Sequence, residues 1–353
     1  MKRVFLYAYD KQNLGDDLFV HTITRRYPHV QFYMWSDRKN REVFSSLPNL
    51  KVIDKDSLFV RFLKKLRPSL AVRYKSFWEK RCDAVVYIGG SIFMEYPNWA
   101  QICSWWENEA KNRPFYVLGA NFGPYHTEAY RQKMEEIFRD CRDVCFRDKY
   151  SARLFPGIAR QAPDILFGYP MPKATVKPNQ VFVSVINCVG RDGSHDLQAH
   201  DSRYVANMAS LLQQLLAEGK ELILASFCKE EGDEEGIRKI LAAMGAENDP
   251  RVRVLYYDGT NADTLTTAIS ESAGVIATRF HATILAMAAG RPVLPILYSD
   301  KTKHVLEDLD FAGQVYDLRE ETPWISAQMT EAATAISAEG HFKALDLLLR
   351  RNP

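Results

Sequence analysis

The chain has 353 residues, of which 46% are hydrophobic and 25% charged, and its formal net charge is +2. A single hydrophobic core rarely organises that many residues, so we expect two domains in a protein of globular composition. The small net charge argues against a protein that wraps nucleic acid with a broad basic face, and we expect no nucleic-acid partner.

The opening segment and the cysteines indicate the compartment. The sequence MKRVFLYAYD runs from two basic residues directly into a strand-like segment, without the apolar core and cleavage site of an export signal. The sequence has no apolar window of about 18 residues, the length that would span a bilayer. The six cysteines lie mostly in apolar segments, as reduced buried thiols do, and we expect no metal site. The sequence therefore predicts a cytoplasmic protein.

The first half of the chain alternates short apolar runs with helix-length amphipathic stretches, which is typical of a mostly parallel α/β sheet. The predicted strands of this half are residues 4–9, 31–35, 84–88, 115–118 and 144–146. A stretch with three prolines, residues 168–178, then predicts a linker. Residues 1–170 are therefore expected to form a first α/β domain.

A second series of strands follows the linker. Its predicted strands are residues 181–186, 222–225, 252–256, 274–277 and 293–296, with helices at 204–217 and 262–270 between them. Residues 171–323 are expected to form a second α/β domain, and residues 324–353 a helix that packs back across the linker. The predicted fold class is α/β, with two doubly wound, Rossmann-like domains.

Residues 59–81 form a strongly basic segment with eight basic residues and one acidic residue, Glu79. Large apolar side chains alternate with the basic ones, and Pro68 is expected to divide the segment into two short helices. One interpretation is a peripheral contact with an anionic membrane surface or a lipid-diphosphate carrier. The other is a solvated insertion whose apolar side packs on the first domain. Both remain open at this point.

Ligands of open parallel sheets bind beyond the carboxyl ends of the strands, so polar residues at those ends are the candidate binding residues. In the first half these are Asn13, Gly15, Gly89, Gly90, Ser91, Asn121, Arg147 and Asp148. Gly15 permits a tight turn, and Asn13 or Asp16 is suited to cap a helix. The structural alternatives are a capped turn at Asn13, and an ion pair with a helix cap at Arg147 and Asp148.

The second half carries the most specific candidate, Thr278-Arg279-Phe280-His281, at a predicted junction between a strand and an apolar helix. The positive end of the helix dipole and the Arg279 guanidinium suit an anion, and His281 adds a proton donor that titrates near neutrality. Tyr298 and Lys301 follow the next strand and extend the candidate binding set. The structural alternative for His281 is a hydrogen-bonded core histidine.

Taken in order, these motifs resemble the polysaccharide pyruvyltransferase family. The matching residues are Asn13-Leu14-Gly15-Asp16, Gly89-Gly90-Ser91, residues 119–124, Arg147-Asp148 with Ser151, Ala162-Pro163-Asp164, Arg279-Phe280-His281-Ala282, Gly290-Arg291-Pro292, and Tyr298 with Lys301. One departure is Gln12, where the family often has glycine.

The resemblance implies a fold like that of two-domain GT-B glycosyltransferases, phosphoenolpyruvate as the donor, and a sugar as the acceptor. Residues 1–170 would then form the acceptor side and residues 171–323 the donor side. The product would be a pyruvate ketal on a capsule, exopolysaccharide or other surface polymer, or on its lipid-linked precursor. The catalytic candidates are then Arg279 for the donor anion, His281 as the acid, and Asp16 or Asp148 as the base. No metal or organic cofactor is expected.

Two other functions remain open. A nucleotide-sugar glycosyltransferase of the same architecture would use a carboxylate of the second domain for the ribose, and Glu230, Glu231 and Asp233 are placed for this. A non-catalytic glycan-binding protein is the other alternative.

Overall fold

The computed structural model describes residues 1–190, 197–332 and 336–349. In these ranges the chain divides into two compact units. The first unit consists of Met1–Asp10, Asp16–Gly168 and residues 337–349, and the second consists of Lys11–Gly15 and the described part of Tyr169–Ile336. Neither unit is a continuous stretch of chain.

The first unit is built on a parallel sheet in the order β3-β2-β1-β4-β5-β6-β7. Its strands are β1 (Arg3–Tyr7), β2 (Gln31–Ser36), β3 (Leu50–Asp54), β4 (Ala84–Ile88), β5 (Phe115–Ala120), β6 (Asp143–Phe146) and β7 (Arg160–Gln161). All six residues of β5 are buried, as expected of a central parallel strand covered on both faces. An aromatic core that includes Trp106, Phe138 and Phe155 packs against this sheet.

The second unit repeats this arrangement with a parallel sheet in the order β10-β9-β8-β11-β12-β13. Its strands are β8 (Lys177–Ser184), β9 (Glu221–Ser226), β10 (Val252–Tyr256), β11 (Ser272–Ala277), β12 (Val293–Leu297) and β13 (Tyr316–Asp317). Both sheets have the strand order that defines the doubly wound fold, so the predicted fold class is confirmed.

Helices connect the strands in both units. They are α1 (Leu14–Arg26), α2 (Asn40–Val43), α3 (Leu58–Leu66), α4 (Pro68–Glu79), α5 (Trp99–Asn112), α6 (Glu128–Asp140), α7 (Lys149–Arg153), α8 (Asp201–Ala217), α9 (Asp233–Met244), α10 (Ala262–Glu271), α11 (Phe280–Ala288), α12 (Asp300–Asp308) and α13 (Glu339–Leu349). None of the described helices has both the length and the apolar composition needed to cross a bilayer.

All ten predicted strands are found, and the three that were not predicted, β3, β7 and β13, lie at the sheet edges. The strands β7 and β13 have only two residues each, too few to show a periodic pattern. In β3 only Ile53 and Asp54 are buried, because an edge strand has less of its surface covered. Sequence patterns therefore find the sheet interior better than its edges.

The prediction of a helix from Trp324 onward is wrong for its first part. Trp324 is buried in the second unit, where its ring stacks on Tyr316 at 5.4 Å between centroids. Thr330 exchanges two backbone hydrogen bonds with Val293, at 2.9 and 3.1 Å, so this stretch pairs with β12 rather than with itself. Residues 333–335 and 350–353 lie outside the described residues, and the helix that forms, α13, begins at Glu339.

Helix α13 belongs to the first unit, although it follows the second unit in sequence. The Arg26 guanidinium donates to Glu339 Oε1 at 2.6 Å and to Asp346 Oδ2 at 2.9 Å. The same guanidinium lies over the Phe342 ring, 4.4 Å from its centre. These contacts hold α13 against the carboxyl end of α1.

Candidate functional site

The Asn13 turn caps the start of α1. Asn13 Oδ1 accepts a hydrogen bond from the Gly15 amide at 3.2 Å, so Asn13 caps the helix. The backbone of this turn is fixed to the end of β9, because the Leu14 amide donates to the Phe227 carbonyl at 3.0 Å. Asn13, Leu14 and Gly15 are therefore part of the second unit, whereas Asp16 belongs to the first.

Arg279 lies at the junction of β11 and α11, as the sequence predicts. It is the N-cap residue of α11, and its amide donates to Ser184 Oγ at 3.1 Å. The preceding residue, Thr278, forms a hydroxyl hydrogen bond with Tyr204 at 3.1 Å. All these residues are buried. Their hydrogen bonds therefore fix the backbone of the junction between β11 and α11.

The Arg279 guanidinium is held by two carboxylates. Its Nε donates to Asp233 Oδ2 at 2.9 Å and its Nη2 to Asp233 Oδ1, which makes a bidentate pair. Its Nη1 donates to Glu231 Oε2, whereas Glu231 Oε1 accepts from Asn13 Nδ2 at 3.2 Å. Arg279 thus fixes α9 and, through Glu231, the Asn13 turn.

These pairs change the electrostatics expected from the sequence. Arg279 is only 5% exposed, and burial by itself would lower its pKa. The charges of Asp233 and Glu231 outweigh burial and raise the pKa of Arg279 well above its usual value. Arg279 with its two carboxylates carries a formal charge of −1, so the guanidinium is not an isolated positive charge. Three of its five N–H groups are used, and two remain without an acceptor among the described residues.

His281 packs directly on Gly15. A Cβ atom on Gly15 would lie 1.7 Å from His281 Nδ1, so only glycine leaves room for this imidazole. The ring also lies edge-on to Phe280, at 5.1 Å between centroids. His281 is half-buried, in the first turn of α11. Gly15 is therefore needed for the placement of His281 as well as for the turn.

Tyr298 and Lys301 follow β12 in the same unit. Tyr298 is buried and close enough to Arg279 to contribute to its raised pKa, after the two carboxylates. Lys301, in the first turn of α12, places its Nζ 5.3 Å from the centre of the Tyr298 ring. The second unit thus brings together six of the predicted site residues, namely Asn13, Gly15, Arg279, His281, Tyr298 and Lys301.

The predicted site residues of the first unit form a cluster around Arg147, which is 2% exposed. Its Nη2 donates to Asn121 Oδ1 at 2.7 Å and its Nη1 to Asp164 Oδ2 at 3.2 Å. A Cβ atom on Gly90 would lie 2.8 Å from Arg147 Nη1. Gly90 therefore makes room for the Arg147 guanidinium, whereas the sequence indicated it only as a candidate binding residue.

Asn121 joins the other polar residues of this cluster. Its Oδ1 also accepts from Ser91 Oγ at 3.2 Å, and its Nδ2 donates to the Gly123 carbonyl at 3.3 Å. Ser91 is half-buried. Gly89, next to this cluster, has the Ile92 side chain 3.2 Å from the position of a Cβ atom.

Asp148 acts as a helix cap, as one of the structural alternatives predicts. It is buried, and its two carboxylate oxygens accept from the Ser151 amide at 2.7 Å and the Ser151 hydroxyl at 2.9 Å. The Ser151 hydroxyl accepts in turn from the Phe122 amide at 2.7 Å. These contacts fix the turn after β5, and they favour a positioning role for Asp148 over that of a base.

Asp16 lies in the first turn of α1, within the first unit, and is half-buried. Its charge adds to the effect of burial, the larger cause, in raising the pKa of Tyr87 to about 12. Asp16 therefore lies near the end of β4 and directly follows Gly15 in sequence.

The partners of the two arginines were not assigned to the site from sequence. Asp164 is fully buried, and burial raises its pKa although Arg147 and the Leu166 amide counteract this. Asp233 and Glu231 were considered only as ribose ligands. The available signals were the Ala162-Pro163-Asp164 motif for Asp164 and the position of Asp233 after a predicted strand. Neither signal shows which arginine each carboxylate meets.

Comparison with known proteins gives a consistent result. The family model described as polysaccharide pyruvyl transferase matches residues 13–300 of the chain. Among solved structures, the S. aureus MnaA-UDP co-structure is 9% identical with a TM-score of 0.56, over 99% of this chain and 88% of that one. A putative UDP-N-acetylglucosamine 2-epimerase from Listeria monocytogenes is 13% identical with a TM-score of 0.54, over 98% and 87%. HepE from Anabaena, in complex with UDP, is 12% identical with a TM-score of 0.51, over 99% and 91%. These similarities show a two-domain α/β fold of the GT-B type.

Proposed function

Because this chain belongs to the polysaccharide pyruvyl transferase family and is thus a transferase, we propose that it moves the pyruvyl group of phosphoenolpyruvate onto a sugar. The acceptor is a bacterial surface polysaccharide, such as a capsule or exopolysaccharide, or its lipid-linked precursor. The reaction takes place in the cytoplasm and needs no metal or organic cofactor.

The observation that carries this proposal is the arrangement at the start of α11. Two carboxylates and Ser184 fix Arg279, and Gly15 leaves room for the His281 ring in the first turn of the helix. The Arg279 guanidinium, which donates hydrogen bonds, and an imidazole lie together at a helix N-terminus. These groups suit a substrate that carries both carboxylate and phosphate.

Donor binding would use the two remaining N–H groups of Arg279. Asp233 and Glu231 hold the guanidinium in one orientation, so little conformational entropy is lost when an anion binds. Lys301, beside Tyr298, supplies further positive charge in the same unit. The carboxylates also lower the affinity for an anion, and Lys301 and the helix dipole offset that effect.

In the reaction, His281 donates a proton to the methylene carbon of phosphoenolpyruvate, which becomes the methyl group of the product. The first sugar hydroxyl then forms a bond to the central carbon and loses its proton to a base, for which Asp16 is the candidate. The second hydroxyl displaces phosphate from the same carbon and closes the ketal, and its proton leaves with the phosphate. Positioned proton transfer of this kind typically accelerates a reaction by roughly 10²–10⁴-fold.

The acceptor would be bound by the first unit. Ser91 and Asn121 are its candidate hydrogen-bonding groups, because Ser91 is partly exposed and Arg147 fixes the orientation of the Asn121 amide. Gly89 and Gly90 lie at the same strand end, after β4.

Thermal unfolding with phosphoenolpyruvate, and in parallel with UDP and GDP, tests the donor. A ligand at about 100 times its Kd should stabilise the fold by roughly 2.7 kcal/mol. We expect this shift with phosphoenolpyruvate and its loss in Arg279→Lys, because lysine keeps the charge that Asp233 needs but not the planar fork. The matched control is Arg238→Lys, at an exposed ion pair with Glu235 in the same unit, which should keep the shift.

A shift with UDP or GDP and none with phosphoenolpyruvate would replace this proposal with the nucleotide-sugar glycosyltransferase. Two of the three carboxylates near the end of β9, Asp233 and Glu231, do not favour that alternative, because both bind Arg279. Asp233 is fully buried, and its Oδ2 also accepts from the Phe227 and Cys228 amides at 2.9 Å, which leaves it poorly placed to bind a ribose. Glu230 is the more exposed carboxylate, 4.0 Å from Lys11.

A further inference from the structure

Helices α3 and α4, with the two residues that follow, form a surface feature that the proposed reaction does not use. We call residues 58–81 the basic hairpin. It is inserted between β3 and β4, and Pro68 begins the second helix, as the sequence predicts. Its two helices are joined by an edge-to-face contact of Phe59 with Tyr74, at 5.2 Å between centroids.

One face of α3 carries large apolar side chains that point into solvent. Leu58, Phe59, Phe62 and Leu66 are each more than half exposed, and Leu58 is 85% exposed. Their spacing places them within about 100° of the helix circumference. Val60, on another face, is buried and attaches α3 to the unit, so the exposed strip is not the face that holds the helix in place. The packing alternative from the sequence therefore accounts for Val60 but not for this strip.

The charges around the strip are almost all positive. Exposed basic residues of the hairpin are Arg61, Lys64, Lys65, Arg67, Arg73, Lys80 and Arg81. Its acidic residue, Glu79, is buried and accepts from the Tyr7 hydroxyl, with Lys75 Nζ 3.3 Å away, so its charge does not offset this surface. Lys64 has an exposed partner, Asp56, at 3.0 Å, which weakens its contribution.

We propose that the basic hairpin docks this protein on an anionic phospholipid surface. Leu58, Phe62 and Leu66 insert between the lipid headgroups, while Arg61, Lys65 and Arg67 bind phosphates. Helix α3 has nine residues and is about 14 Å long, too short to cross a bilayer core of about 30 Å, so it lies in the plane of the interface. This inference does not rest on the proposed reaction.

A second copy of the chain is a poorer occupant of the same face. A two-fold interface brings the same surface of both copies together. It would therefore place the basic residues of one hairpin against those of the other, without acidic residues to offset them. Nucleic acid would pair with the charges but leave the apolar strip exposed to water. An anionic bilayer would both pair with the basic residues and bury the apolar strip.

Cosedimentation with vesicles tests the proposal. We expect the protein to bind vesicles of phosphatidylcholine with added phosphatidylglycerol, and not vesicles of phosphatidylcholine alone. The charge variant Arg61→Glu, Lys65→Glu, Arg67→Glu should weaken binding at least about tenfold. The strip variant Leu58→Gln, Phe62→Gln, Leu66→Gln should weaken it by a similar factor, because glutamine preserves the helix but not the insertion.

The matched control reverses three exposed arginines of the same unit outside the hairpin, Arg25, Arg38 and Arg142, and should bind nearly as the unmodified protein does. Thermal unfolding checks that every variant is folded. Absence of binding to the anionic vesicles, or equal binding by the charge or strip variant, would overturn the proposal. Self-association lost in the strip variant, without vesicle binding, would assign the face to a second copy instead.

Discussion

The buried ionisable side chains of Arg279, Arg147 and His341 are held in place by hydrogen bonds to carboxylates or a backbone carbonyl. Arg279 and Arg147 each lie in the interior with a carboxylate, and His341 lies there as a neutral ring that bonds the Pro163 carbonyl at 2.8 Å. Burial is the largest cause that lowers the pKa of His341, to about 3, and the Arg160 charge adds to it. This histidine therefore links the stability of the fold to pH.

Stability should fall as the pH decreases below 6.5 because of His341. The unfolded chain takes up a proton near pH 6.5, whereas the folded chain does so only near pH 3, so acid favours the unfolded state between these values. Between pH 7.5 and 5.0 we expect His341 to contribute a loss of about 2 kcal/mol in the free energy of unfolding.

Urea unfolding at both pH values measures this effect. The variant His341→Gln should lose about 2 kcal/mol less than the unmodified protein over the same change, since glutamine does not titrate and can still donate to Pro163. The exposed His126 provides the control, and His126→Gln should behave as the unmodified protein does. Equal losses in His341→Gln and the unmodified protein would show that His341 is not held neutral.

Sequence reasoning located single residues better than it located their partners. Arg279 and His281 lie at the strand–helix junction where the pattern placed them. Their neighbours could not be inferred, because Asp233 follows β9, and only the sheet order places β9 two positions from β11. Without the strand order, the sequence shows the positive charge of Arg279 but not the carboxylates that pair with it.

At the scale of elements, the Asn13 turn shows that the placement of the His281 ring in α11 depends on a glycine at position 15. Gly15 belongs to the first turn of α1, and the His281 ring of α11 occupies the space that a larger residue would need. Gln12, just before this turn, has a φ of 50°, a left-handed conformation that favours glycine. This conformation is consistent with the glycine that the family resemblance implies at this position.

Replacing Gly15 with alanine should displace His281. The methyl group would meet the ring at 1.7 Å, and the ring must move because the backbone of the turn is bonded to Phe227. We expect at least a roughly tenfold loss of pyruvyl transfer, as misplaced catalytic groups are costly, with phosphoenolpyruvate binding retained. Phosphate release and ligand-dependent unfolding measure the two effects separately.

The control for this variant is Gly168→Ala. A Cβ atom at Gly168 meets its nearest neighbour, Ala338 Cβ, at an ordinary 3.5 Å, so this variant should keep full activity. If Gly15→Ala kept full activity as well, His281 would not need its present position for the reaction.

The two units contain sheets with the same strand order. Neither unit is formed by one continuous stretch of the chain. Sequence reasoning found both sheets, since their central strands are apolar and separated by helices. It assigned residues 1–170 to one continuous domain, whereas Lys11–Gly15 lies in the second unit. The C-terminal helix was expected to pack back across the linker, and α13 lies in the first unit. A local pattern does not show which sheet a short turn packs on, so the exchange of Lys11–Gly15 could not be predicted.

Two leucines of α13 test its assignment to the first unit. Leu345 is fully buried, and Leu345→Ala should lower the free energy of unfolding by about 2–5 kcal/mol. Leu347 is 79% exposed in the same helix, and Leu347→Ala should change stability little. Tryptophan fluorescence reports the first unit, because five of the six tryptophans lie there and Trp324 can be replaced with phenylalanine. An unchanged tryptophan transition in Leu345→Ala would contradict the assignment.

The return of α13 to the first unit also has a consequence for biosynthesis. A ribosome reaches Gly168 long before it reaches Ser337, so the nascent first unit must wait for its last helix while the second unit is being made. At about 5–20 residues per second, this delay lasts roughly 10–30 seconds. During that time the surface that later covers Phe342 and Leu345 is open to chaperones or to other nascent chains.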